Sequence, residues 1–75
     1  MEDSIHDILV FKTNIRTEAD RQLVAVLLDS HACIRKWNVD LQDVDCVLRI
    51  VSPTLTAEET IALITRHGYQ CTELL

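Results

Sequence analysis

The chain has one glycine, one proline and three aromatic residues among its 75. A single glycine excludes the glycine-rich loops that cradle phosphates with successive backbone N–H groups. No two cysteines stand in a C-x-x-C arrangement. Cys33, Cys46 and Cys71 are odd in number and widely spaced, so neither a zinc ribbon nor a dithiol redox pair is indicated, and reduced thiols are expected. No run of about 18 apolar residues occurs, so no membrane span is expected. Basic residues are also few. Seven are spread through twelve acidic ones, for a net charge of −5, whereas nucleic-acid binding needs a clustered Lys/Arg surface. The opening "MEDSIHD" is acidic and polar, unlike a secretory signal, and a cytoplasmic protein is expected.

What is present is an ordinary globular mixture, 48% hydrophobic and 25% charged. It is enough for one domain over 1–75, with residues 1–6 expected to form a flexible N-terminus. A chain this short buries only about 60% of the surface its unfolded form exposes, so burial against a partner or in a homodimer would help it. "DILVFKTNI" is apolar and β-branched and predicts a strand over Ile8–Asn14. "TEADRQLVAVLLDS" predicts a helix with Thr17 as N-cap and Glu18 and Asp20 at the positive end of its dipole. "CIRKWNVDLQ" alternates, with Trp37, Val39 and Leu41 on one face. "DCVLRIVS" does the same, placing Cys46, Leu48 and Ile50 opposite Val47, Arg49 and Val51, with "QDVD" as a short hairpin turn between the two strands. Pro53 ends that strand. A second helix follows, with a Thr56/Glu59 capping box and Gly68 as its stop, and "YQCTELL" closes the chain as a strand.

The order β-α-β-β-α-β predicts an α+β, ferredoxin-like sandwich: a four-stranded antiparallel sheet in order 4-1-3-2 with both helices on one face. The first strand's exit (14–18), the hairpin (42–45) and the second helix's exit (67–69) are then expected at one end. His6, His31, Cys33 and Pro53 are expected at the other. An RNA-binding sheet of this fold needs aromatics on its open face, and two of the three aromatics map to the other face.

The strand register Ile34, Trp37, Val39, Asp40, Leu41, the closing "HGYQC" and the opening "VFKTNI" together resemble the heavy-metal-associated domain family, the module of copper chaperones and metal-pumping ATPases. The likeness runs from about residue 8 to residue 75. In that family the second strand reads V-x-x-V-x-V-D-L, the close reads G-Y, and the metal is gripped by an M-x-C-x-x-C loop. Aligned without gaps, this chain puts Arg16 at the methionine and Glu18 and Arg21 at the two cysteines. Shifted by one residue, it puts Ala19 and Gln22 there. Soft Cu(I) needs thiolate or thioether ligands, and a carboxylate with a guanidinium supplies neither. No metal and no cofactor are therefore expected at this loop.

Several other groups have plain structural readings beside their functional ones. Cys46 and Cys71 alternate with inward residues and read as small buried groups. With the first strand between them, their backbones would lie roughly 9–10 Å apart, beyond easy disulfide reach. His31 and Cys33, with His6 from the same end, form an N/S set that could hold Zn(II) or Cu(II), but H-x-C is a weak signal and a fourth ligand is missing. Arg16 and Arg21 flank a helix N-terminus, which raises a phosphate-ester or acyl-phosphate hydrolase with Asn14 or Asn38 placing water. Glu18 and Asp20 in the same turn would repel such a substrate. Asp40, Asp43 and Asp45 lack the alternation and glycine of a Ca²⁺ loop and read as turn residues. His67 suits the negative end of the second helix, and no nucleophile–histidine grouping can be assembled. Finally, Ile8, Val10, Val47 and Val51 should share the helix-free sheet face with Lys12, Lys36, Arg49 and Thr72, an arrangement that suits an interface. The expectation is a non-enzymatic module that binds a protein or itself, through that face and the loop from Asn14 through Arg16 and Glu18 to Arg21.

Overall fold

The computed structural model describes residues 7–74. The expected flexible segment 1–6 and His6 lie outside the described residues. The elements run β1 (Ile8–Thr13), α1 (Glu18–Asp29), β2 (Lys36–Val39), β3 (Leu48–Val51), α2 (Ala57–Arg66) and β4 (Cys71–Glu73). All pairings are antiparallel and the sheet order is β2-β3-β1-β4, the expected 4-1-3-2 read from the other edge. This is the ferredoxin-like α+β arrangement.

Alternation builds the core. Phe11 of β1 lies opposite Leu48 of β3, and both are fully buried with Ile15, Ile50, Val24 and Leu28 of α1 and Ile64 of α2. Because residues of both helices join the same cluster, both cover one face of the sheet. Each such side chain stabilises the fold by about 1.5–3 kcal/mol through apolar burial. The domain depends on few of them.

Local chemistry sets the helix ends. Thr56 Oγ1 accepts from the Glu59 N–H at 3.1 Å and Glu59 Oε1 accepts from the Thr56 N–H at 3.0 Å, the reciprocal box that opens α2. α1 has the same device with an aspartate in the third helical position: Thr17 Oγ1 accepts from the Asp20 N–H at 3.0 Å, and Asp20 Oδ2 from the Thr17 N–H at 3.3 Å. At the far end of α2, Gly68 adopts φ +91°. Its N–H donates to Thr65 O and the Tyr69 N–H to Ile64 O, so the left-handed glycine turns the chain back toward the sheet.

Three local expectations change. The link between β2 and β3 spans 40–47 rather than "QDVD" alone. Asp40 and Asp43 each accept from a backbone N–H two residues on, building consecutive turns, and Leu41 leaves the strand while still packing on the core. Cys46, expected within β3, precedes it in the left-handed region at φ +45°. Its carbonyl accepts from Thr13 Oγ1 at 2.7 Å, which holds the bend. Val47 and Val51 lie on the helix-free face but are only 7% and 9% exposed. β3 is an inner strand, and neighbours on both sides cover its small side chains.

Candidate functional site

The end of the molecule where a metal loop would lie is closed by its own side chains. Asp20 is the centre. One carboxylate oxygen accepts from the N–H groups of Thr17 and Arg16, at 3.3 and 3.4 Å. The other accepts from the Tyr69 hydroxyl at 3.2 Å. The Thr17 hydroxyl first, then Tyr69 and those two N–H groups, hold the Asp20 pKa below the usual carboxylate value against partial desolvation, while desolvation and Asp20 raise that of Tyr69. Asn14 Oδ1 accepts from the Gln70 N–H at 2.7 Å, and the Thr13 N–H donates to Asp45 O at 3.0 Å. Lys12 and Asp45 add an exposed ion pair at 3.6 Å. The three loops expected at this end therefore meet there.

The family-loop positions carry no open ligand set. Arg21 pairs with Glu18 through Nε, at 2.9 Å, and through Nη2. This pair raises the arginine's pKa. Ala19 and Gln22 are exposed on α1, and Arg16 is exposed beside them. The Asp20 carboxylate takes the N–H groups of Arg16 and Thr17, and the Thr17 hydroxyl takes that of Asp20, so internal acceptors fill part of the helix start where an anion would bind.

At the opposite end Cys33 is exposed, and its N–H donates to His31 Nδ1 at 3.2 Å. The motif thus forms a local turn. Among the described residues no group of three His, Cys, Asp or Glu side chains is placed to share a metal ion. Cys46 and Cys71 are buried and free, and burial pushes the Cys71 thiol up to about 11.

The helix-free sheet face presents Ile8, 40% exposed, and Val10, half-buried, among Lys12, Lys36 and Arg49. A shallow hollow of about 230 Å³ lies there between Ile8, Val51, Lys36 and Arg49.

A second surface was not anticipated. At about 100° per residue, Ala19, Gln22, Leu23, Val26 and Ser30 fall in one sector of α1 opposite the buried Val24 and Leu28. All five are exposed, Leu23 at 66% and Val26 at 75%. This solvent face has no charge along its centre. Beside it a groove of about 220 Å³ runs between the helices, lined by Leu23, Leu27, Ile64, His67 and Tyr69. The signal was available in the wheel of α1, where the run "LVAVLL" exceeds what one buried face can take up.

Compared with protein-family models, curated proteins and solved structures, the chain matches none. No described helix is long and apolar enough to cross a membrane.

Proposed function

We propose that this is a non-enzymatic cytoplasmic module that works by binding protein. We read it as a heavy-metal-associated-like domain whose metal loop has been replaced by a structural one. The observation that carries the reading is the uncharged solvent face of α1, where Leu23 and Val26 stand 66% and 75% exposed in a domain with little core to spare. The loop supports it from the other side. The Asp20 carboxylate, the Arg21 guanidinium and the N–H groups of Arg16, Thr17 and Asp20 are engaged within the fold, which leaves poorer material for metal capture or phosphoryl chemistry.

A photo-reactive residue in place of Gln22, in the full chain expressed in its native cells, tests this. The expected result is a discrete adduct containing a second polypeptide. Absence of any adduct at Gln22, with the protein folded and expressed, overturns the reading.

A further inference from the structure

Inner strand β3 leaves one side chain exposed, Arg49, and holds it in the middle of the helix-free sheet face. We propose that this arginine receives a carboxylate from an acidic segment of another protein, with Ile8 and Val10 taking up that segment's aliphatic neighbours. This rests on the protein-binding reading and gives it a second surface, with a stated partner chemistry.

Register builds the site. Arg49 lies opposite Val10 of β1 on one side and Asn38 of β2 on the other. Two residues along β3, Val51 lies between Ile8 and Lys36. Residues two apart on a strand share a face, so Val10, Asn38 and Val51 are the neighbours of Arg49 there. The hollow of about 230 Å³ on this face is lined by Arg49 and Lys36 together with Ile8 and Val51. Val51 is nearly buried, whereas Ile8 is 40% exposed, so Ile8 and half-buried Val10 supply the aliphatic surface on offer.

Arg49 also differs from its neighbours in charge. Lys12 on the same face is paired with Asp45, but among the described residues the Arg49 guanidinium makes no ion pair and no hydrogen bond. Acidic side chains stand off from it. Asp40 and Asp45 border the face at its hairpin end, beside Val47 and Lys12, and Asp40 accepts from the Gln42 N–H. Asp7 and Glu73 fall in register with Ser52 and Phe11, on the helix side of the sheet.

These surroundings choose the partner. The whole chain carries −5, so net charge does not draw an anion here and local geometry must hold it. A planar guanidinium takes a carboxylate through two parallel N–H···O bonds, and arginine is among the residues enriched at interface anchors. Nucleic acid needs a clustered basic surface, and Asp40 and Asp45 interrupt this one. A second copy apposed about a two-fold axis through the face would set Arg49 against Arg49.

The test places a photo-reactive residue at exposed Asn38, in the full chain expressed in its native cells, and sequences the cross-linked peptide by tandem mass spectrometry. The expected result is an adduct to a segment of another protein that carries Asp or Glu among aliphatic residues. Arg49→Glu should lower its yield at least about tenfold and leave the circular dichroism spectrum of the purified protein unchanged, because the side chain is exposed. Arg49→Lys keeps the charge without the paired donors and should fall between the two. No adduct at Asn38, an adduct to a segment without carboxylates or to a second copy of the chain, or a yield indifferent to Arg49→Glu overturns the proposal. The Gln22 cross-link separates the two claims. An adduct there with none at Asn38 ends this inference alone, whereas no adduct at either position ends the protein-binding reading with it.

Discussion

The phenol of Tyr69 donates to the carboxylate of Asp20 at 3.2 Å, joining residues 49 apart in sequence. Asp20 also caps its own helix, so one aspartate fixes the start of α1, the loop before it and the turn after α2. A loop held this way has its Asp20 carboxylate and its Arg21 guanidinium occupied within the fold.

That arrangement has a pH signature. The Asp20 and Glu59 pKa values are both lowered in the fold, the second chiefly by hydrogen bonds to the Thr56 backbone and hydroxyl. A lowered folded-state value contributes stability that is present above the unfolded pKa and lost as pH falls through the folded one. Thermal stability should therefore decline below about pH 4. Asp20→Asn and Glu59→Gln should each flatten that acid limb in melts followed by circular dichroism. An acid limb unchanged in both variants would contradict the capping roles.

The hydroxyl halves of the two boxes should behave alike. Thr17→Ala and Thr56→Ala are each expected to cost about 1 kcal/mol in urea unfolding, the usual loss for an N-cap threonine. A neutral Thr17→Ala would mean that α1 does not depend on its box.

Most of the fold was legible because each element has its own signal: alternation in β3, the Thr56/Glu59 box, the single glycine at the one left-handed stop of α2. The hairpin was misjudged because its aspartates build turns through side-chain acceptors, which extend the link beyond four residues. The α1 box was hidden because the usual pattern has Glu or Gln where Asp20 stands. Val47 and Val51 looked exposed because alternation tells which face a residue takes and not how far its neighbours cover it. The Tyr69–Asp20 and Asn14–Gln70 contacts join distant positions, and nothing local announces them. The α1 face was readable in the helical spacing that sets Ala19, Gln22, Leu23 and Val26 opposite Val24 and Leu28.

Cys46 makes a separate test. A side chain at positive φ costs about 1–2 kcal/mol relative to glycine, and this thiol is 3% exposed at φ +45°. Cys46→Gly trades lost burial for relieved backbone and should fall within about 1 kcal/mol of the parent. Cys46→Val adds a β-branch at a position that resists it, and should destabilise by about 2 kcal/mol or more. Equal stability of the two variants in denaturant titration would contradict the left-handed assignment.

Thiol labelling orders the three cysteines. Native protein at pH 8 should lose Cys33 to an alkylating reagent quickly, while Cys46 and Cys71 react only through opening of the fold, because both are buried and Cys71 is held at about 11. Mass spectrometry of timed samples reads this directly. Cys71 reacting as fast as Cys33 would contradict the packing of β4.

The claim that the β1–α1 loop is closed by its own side chains is tested most directly by backbone amide shifts of the isotope-labelled, reduced protein on adding Zn(II), Cu(I) or inorganic phosphate. The amides of Arg16, Thr17, Asp20 and Gln70 should stay where they are with each ligand at one equivalent. Saturable movement of those amides by any of the three would contradict it.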